Sequence, residues 1–173
     1  MDSRNIVITG LMGSGKSTIG KLVAQELGRE FIDTDEFLVQ HYGPASEILS
    51  QPNGDEKFGL VEEQVAGTLC GLDNLVISTG GRFMVTQVNI DLMLENGMVF
   101  CLEADLNDIV ERLTKATCDT YRPRFEKAEN KFALMEQLAE QSAPSFDQFI
   151  KVQTSNRKLY EITSEIVRLF NKT

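Results

Sequence analysis

The chain has 173 residues, 42% hydrophobic and 25% charged, which is ordinary globular composition and enough for a single domain, 1–173, with its own core. Its 17 Lys and Arg against 26 Asp and Glu leave a net charge of −9. That balance repels a phosphate backbone and argues against nucleic-acid binding, although a few basic residues in a cleft can still hold a small anion.

The first apolar run, Ile6-Val7-Ile8, is short, β-branched and followed by Thr9-Gly10, which predicts a buried strand. A glycine-rich loop leads into Ser17–Leu27, with Ile19, Leu22, Val23 and Leu27 at helical spacing and Gly28 as the stop. Phe31-Ile32 predicts a second strand, and Glu36–Tyr42 a helix ended by Gly43-Pro44. The stretch from Ser46 to Asp55 has no clear periodicity but contains the turn signal Gln51-Pro52-Asn53-Gly54. Glu56–Leu69 reads as a helix, with Phe58, Val61, Val65 and Leu69 on one side. Leu75–Ile77 reads as a third strand broken by Thr79-Gly80-Gly81.

Further along, Gln87–Glu95 predicts a helix and Met98–Leu102 a fourth strand with Cys101 in the core. Asp105 is placed to cap a helix running to about Lys115. Residues 116–130 are polar, carry Arg122-Pro123-Arg124 and read as an exposed loop. Lys131–Gln141 predicts a helix stopped before Pro144, Phe149–Val152 a fifth strand, and Lys158–Phe170 a last helix. The group Phe125, Phe132 and Phe146 reads as packing for this part of the chain. Alternating short strands and helices imply an α/β class: a parallel five-stranded sheet covered on both faces, in three α/β/α layers.

Neither a disulfide framework nor a zinc site is expected from Cys70, Cys101 and Cys118, which show no C-x-x-C spacing. The N-terminus carries no export signal, and no apolar run approaches the ~18 residues that a membrane span needs, so the expected location is the cytoplasm, off the membrane. The single histidine, His41, falls at a helix end and is assigned no chemistry.

The chemistry is concentrated near the N-terminus. Gly10-Leu11-Met12-Gly13-Ser14-Gly15-Lys16-Ser17 matches G-x-x-x-x-G-K-[ST] between a strand and a helix, the context in which the motif binds a nucleoside triphosphate. Glycines let the backbone N–H groups curl inward around phosphates, and the helix that follows turns its positive end toward them. Gly13, Ser14, Gly15, Lys16, Ser17 and Thr18 are therefore the nucleotide-binding candidates, with Lys16 reaching the β- and γ-phosphates and Ser17 ligating Mg²⁺. ATP is preferred to GTP because no Asn-Lys-x-Asp segment is present. Asp33-Thr34-Asp35 follows the second strand, and carboxyl ends of strands in a parallel sheet face the ligand crevice. One carboxylate can support Mg²⁺ and the other can accept the proton of an attacking hydroxyl; alternatively both cap the next helix.

Taken together, these segments resemble the shikimate kinase family over nearly the whole chain. The shared elements, in order, are Gly10–Gly20, Phe31–Asp35, Thr79-Gly80-Gly81, Tyr121-Arg122-Pro123 and Val152–Arg157. The resemblance implies a P-loop fold of the nucleoside-monophosphate-kinase kind with a mobile lid at about 116–130, ATP and Mg²⁺ as cofactors, and a monomer acting on a small-molecule hydroxyl acceptor. Carried over by position, Lys16 and Arg122 would stabilise charge on the transferring phosphoryl group, and Ser17 and Asp33 would hold the metal. Asp35 would orient or deprotonate the acceptor hydroxyl, and Gly80, Gly81 and Arg82 would wall the acceptor. Arg157 would lie near the adenine, with Lys115 or Arg112 over its other face. Shikimate is the leading acceptor. The alternatives are another small hydroxylated metabolite, a nucleotide or nucleoside, or an ATP-binding regulatory protein without catalysis.

The chain departs from the family's pattern on the acceptor side. Two arginines of the family are replaced by Gly59, directly after Phe58, and by Ser142, two residues before Pro144. The wall that normally reads three glycines here reads Gly80-Gly81-Arg82. Each charge-assisted contact to a carboxylate is worth about 1.5–3 kcal/mol, so the exchange bears directly on acceptor affinity. Lys57 and Arg124 are weaker candidates for compensation and read as solvated charges.

Overall fold

The computed structural model describes residues 2–115 and 123–172. Five strands form one sheet: β1 (Asn5–Gly10), β2 (Glu30–Asp33), β3 (Leu75–Ser78), β4 (Gly97–Glu103) and β5 (Ile150–Gln153). Their spatial order is β2-β3-β1-β4-β5, and every pairing is parallel. The central strand β1 reads as an unbroken apolar run because both of its faces are covered. Side chains alternate across the sheet: Ile6 and Ile8 face one layer and Val7 the other, and in β4 Met98, Phe100 and Leu102 oppose Val99 and Cys101.

The helices are α1 (Lys16–Leu27), α2 (Thr34–Tyr42), α3 (Ala45–Leu49), α4 (Gly54–Cys70), α5 (Gln87–Glu95), α6 (Leu106–Lys115), α7 (Pro123–Glu126), α8 (Lys131–Phe146) and α9 (Leu159–Phe170). On one face, Ile19 and Val23 of α1 and Ile162, Ile166 and Phe170 of α9 pack on Ile6, Ile8 and Phe100. On the other, Val65, Ala66 and Leu69 of α4 and Ile90 and Met93 of α5 pack on Val7, Ile77 and Val99. A smaller third cluster joins Ile109 and Leu113 of α6 to Phe125 and Met135, with Leu11 and Met12 of the glycine-rich loop lying against it.

The chain leaves β1 toward β2, whereas it leaves β3 toward β4 on the far side of β1. Neighbouring strands whose connections diverge in this way open a crevice beyond their carboxyl ends. That crevice lies between β1 and β3, where the glycine-rich loop and Thr79-Gly80-Gly81 emerge.

The structure departs from the sequence expectations in four places. The stretch from Ser46 to Asp55 holds the short helix α3 and a tight turn; Asn53 adopts φ 59°, and a Cβ on Gly54 would collide with the Leu49 backbone. The expected loop at 116–130 contains the single turn α7. Helix α8 runs through Pro144 to Phe146 instead of stopping before it. Proline removes one N–H near the helix end, but Asp147 N still donates to Ala143 O at 2.9 Å and Phe146 is buried against the core, so the last turn survives. Phe132, grouped with Phe125 and Phe146 from the sequence, is instead 39% exposed. Cys101 is core as expected, and His41 stacks on Phe37 with Nδ1 at 2.8 Å from Phe37 O. Cys118, Tyr121 and Arg122 lie outside the described residues. Among the described residues no helix is long and apolar enough to cross a membrane.

Phe100 is fully buried in β4, in register with Ile8 on one side and Ile150 on the other. Phe100→Ala is expected to lower the unfolding free energy by about 3–5 kcal/mol, measured by urea denaturation, because the cavity opens where the sheet cannot collapse onto it.

Candidate active site

The loop between β1 and α1 is built for an anion. Gly10, Gly13 and Gly15 hold φ values of 138°, 79° and 101°, which side-chain-bearing residues rarely adopt. A Cβ on Gly13 would stand 2.9 Å from Leu113 Cγ, so the loop is pressed against α6 and has little room to shift. Helix α1 begins with no side-chain cap and no acidic residue in its first turn. Its first N–H groups lack intrahelical partners and present the positive end of the helix dipole to the crevice. Ser14 Oγ is buried beside this loop without a hydrogen-bond partner among the described residues. An orphan hydroxyl, an uncapped helix and a glycine cradle fit a bound triphosphate.

Lys16 Nζ donates to Gly10 O and Leu11 O, both at 3.0 Å, and so lies folded over the loop. Ser17 Oγ donates to Asp33 Oδ2 at 2.8 Å and lies 3.4 Å from Ser78 Oγ. Thr18 is exposed on the first turn of α1. The hydroxyl–carboxylate pair of Ser17 and Asp33 is a hard oxygen donor set of the kind Mg²⁺ takes together with phosphate oxygens and water.

The two alternatives for Asp33 and Asp35 separate in the structure. Asp33 is the N-cap of α2: its Oδ1 accepts from Asp35 N at 3.0 Å while its other oxygen serves Ser17. Asp35 makes no cap. Its carboxylate faces the Gly80 backbone so closely that a Cβ on Gly80 would collide with Asp35 Oδ1. The residue as a whole is exposed, yet the Gly80 backbone crowds its carboxylate. Burial and the neighbouring Asp33 charge push its pKa above the ordinary aspartate value, partly opposed by Lys16. That shift makes Asp35 a better proton acceptor than a solvated aspartate.

The wall beyond β3 is pinned by short contacts. Thr79 N donates to Ile8 O at 3.0 Å, Gly80 N to the buried Thr34 hydroxyl at 2.8 Å, and Phe83 N to Gly80 O at 3.2 Å. A Cβ on Gly81 would meet nothing within 4 Å, so this edge of the wall borders open space. Arg82 follows it, exposed. Behind β5, Thr154 Oγ1 bridges Ser14 O at 3.4 Å and Glu103 O at 3.1 Å, tying the segment from Val152 to Arg157 to the glycine-rich loop. Arg157 itself is engaged with Glu165 Oε2 at 2.6 Å and Gln153 O at 2.9 Å. Arg112 pairs with Asp108 and Lys115 with Glu111 along α6. Lys57 is exposed and bonded to Gln51, and Arg124 is exposed.

Residues 12–171 match the family model described as "Shikimate kinase". The chain is 36% identical over 170 residues to a shikimate kinase of Bacillus cytotoxicus, covering 97% of this chain and 99% of that one. It is 43% identical over 110 residues to a shikimate kinase of Caldicellulosiruptor bescii, a stretch spanning 64% of each. A structure titled "Shikimate kinase from Acinetobacter baumannii in complex with shikimate" superposes with a TM-score of 0.87 at 25% identity, over 98% of this chain and 94% of that one. The chain belongs to the shikimate kinase family. It is accordingly an ATP-dependent kinase, a phosphotransferase with an alcohol acceptor that works with Mg²⁺.

One buried group of this shikimate kinase family member escaped the sequence reading. Glu62 on α4 is only 8% exposed and has no hydrogen bond or ion pair among the described residues. Burial raises its pKa to about 7; the Asp35 charge adds to the rise and Arg82 opposes it. A signal was present: Glu62 precedes Val65, Ala66 and Leu69 at helical spacing, which puts a carboxylate on the apolar stripe of α4. Cys101 has no comparable role, since burial pushes its thiol up to about 11.

Glu62 ties stability to pH. At pH values below its ordinary 4.5, the folded and unfolded chains both carry the proton; between 4.5 and about 7 only the folded chain does. Folding is therefore penalised progressively as pH rises through this window, by up to roughly 3 kcal/mol in total, and the penalty then levels off. Glu62→Gln removes it. Urea unfolding of both proteins is expected to show the Gln variant gaining on the wild type as pH rises through that window and holding a constant margin above it.

Proposed function

We propose that the chain phosphorylates shikimate, moving the γ-phosphoryl group of MgATP onto a ring hydroxyl to give shikimate 3-phosphate and ADP. The observation that carries this proposal is Asp35: a carboxylate of raised pKa, free of capping duty, set between the phosphate cradle and the Gly80 wall. MgATP supplies the activated phosphoryl group and a divalent charge. Gly13, Ser14, Gly15 and Thr18, with the first N–H groups of α1, bind the phosphates. Lys16 exchanges its bonds to Gly10 O and Leu11 O for phosphate oxygens. Ser17 and Asp33 would hold the metal, which would offset negative charge on the phosphates. Asp35 takes the proton as the acceptor oxygen forms its bond to phosphorus and the bridging bond to ADP breaks.

Arg122 adds positive charge to the transferring group, an assignment resting on its sequence position after Tyr121. Arg157 borders the adenine side, and Gly80, Gly81 and Arg82 border the acceptor. The same proposal has the chain acting as a single domain and a monomer in the cytoplasm, away from nucleic acid. The net charge of −9 and the free thiols of Cys70 and Cys101 support it.

A different small hydroxylated acid is the second candidate acceptor. One observation favours it: Gly59 and the buried Ser142 leave this side of the cleft without the two family arginines. A purely regulatory ATP-binding role has no use for Asp35.

A coupled ADP-release assay with shikimate tests the proposal. Asp35→Asn is expected to cut kcat by about 10²–10⁴-fold with nucleotide affinity retained. Lys16→Ala is expected to cost about 10²–10³-fold with the fold intact by circular dichroism. Unchanged turnover in Asp35→Asn removes the assignment of the base.

A further inference from the structure

Asp35 lies against the Gly80 wall and the buried Glu62 feels its charge, so an acceptor that is itself a carboxylate needs a cation there. Four observations single out one. Arg82 directly follows the Gly80-Gly81 wall, whose Gly80 touches Asp35 and is fixed by Thr34 and by the turn into Phe83. Its side chain is exposed and makes no hydrogen bond or ion pair among the described residues, while its backbone is held by Val85 N donating to Arg82 O at 3.2 Å. Glu62 is more than nine-tenths buried, unpartnered among the described residues, and within the electrostatic reach of both Arg82 and Asp35. Gly59 lies one turn before Glu62 on the same face of α4, and a Cβ there would meet nothing within 4 Å. Gly59 itself thus carries no side chain into the open space beside it, and Arg82 is the described arginine that directly follows the Gly80-Gly81 wall.

We propose that Arg82 is the anchor for the acceptor's carboxylate, and that Glu62 is a positioning residue that draws the Arg82 guanidinium across the cleft to meet it. The proposal rests on the shikimate assignment above and deepens it. An arginine fork binds a carboxylate in two parallel hydrogen bonds, which fixes the acceptor's orientation as well as its affinity. Glu62 supplies the opposing charge that keeps a long, otherwise solvated side chain on the cleft side. Binding the acceptor's anion then completes a chain of alternating charges: Glu62, Arg82, acceptor carboxylate.

The test is steady-state kinetics of the full chain with MgATP and either shikimate or its neutral carboxamide, comparing wild type, Arg82→Ala, Arg82→Lys, Glu62→Gln and the double variant Arg82→Ala/Glu62→Gln. Arg82→Ala is expected to raise the KM for shikimate by about 10–100-fold, the loss of one charge-assisted contact, to leave the KM for ATP unchanged, and to weaken the carboxamide far less than shikimate. Arg82→Lys recovers part of the loss. Glu62→Gln raises the KM for shikimate with little change in kcat, and the double variant is no worse than Arg82→Ala because the two residues act as one unit. Equal losses on shikimate and carboxamide, a raised KM for ATP, additive effects in the double variant, or no effect of Arg82→Ala each overturn the proposal while leaving the shikimate assignment standing. Absence of shikimate turnover by the wild type removes both.

Discussion

Everything in the cleft is referred to the uncapped N-terminus of α1. A helix can recruit a side chain to its free N–H groups, as α2 does with Asp33 and α8 with Asn130. Helix α1 starts at Gly15 with none, and the residues that could have supplied one are glycines in left-handed conformations. The unfilled donors are tolerable only because the loop cannot relax toward them. Leu113 and Ile109 press on Gly13 from one side, and Gly10 is packed against the Leu102 carbonyl of β4 on another. Rigidity of the loop and readiness for phosphate are thus one property, set by the small cluster around α6 as much as by the motif itself.

The acidic groups carry the opposite tension. Burial disfavours ionisation at both Asp35 and Glu62, with the Asp33 charge adding to it at Asp35 and the Asp35 charge adding to it at Glu62. A core selected for stability alone would not hold, on the apolar stripe of α4, a carboxylate with no hydrogen bond or ion pair among the described residues. Each group costs the resting fold something, and the cost is partly relieved when cations enter: Lys16 near Asp35, Arg82 near Glu62, and Mg²⁺ with the nucleotide beside Ser17 and Asp33. Ligand binding and folding are linked through the same charges, so the protein is expected to be tightest when its cleft is filled.

Much of this was legible in the sequence because periodicity and glycine placement are local. The five strands and the main helices follow from short β-branched runs and apolar spacing, and the glycine-rich loop declares its own backbone. The failures were also local in cause. Pro144 reads as a stop, yet near a helix end it removes a single donor, and the burial of Phe146 outweighs that loss. Phe132 counts as core by type but lies on the solvent side of α8. The residues alone do not separate Asp33 from Asp35, and only the resemblance gives them different roles; geometry adds that Asp33 caps α2 and accepts from Ser17 while Asp35 makes no cap. Glu62 was hidden among the acids of a helix that also carries Glu56 and Glu63, and only the count along the buried stripe separates it from them.

The two halves of the site differ in how far substitution can move them. On the nucleotide side, function is carried by backbone: φ angles at Gly10, Gly13 and Gly15, N–H groups of α1, and a loop held between β1 and α6. No alternative residue can supply those from another position, and this chain carries the G-x-x-x-x-G-K-[ST] motif intact. On the acceptor side, charge is delivered by long side chains whose heads meet in space while their backbones are far apart. A guanidinium can enter the same volume from α4, from α8 or from the wall after β3, provided the space is open and a counter-charge directs it. Gly59 borders open space, the buried Ser142 contributes no charge, and under the proposal above Arg82 delivers the charge from the wall after β3. A chain can therefore lose residues that define its relatives at this position and retain the electrostatics, which makes the charge arrangement, more than the identity of any one position, the feature that must persist.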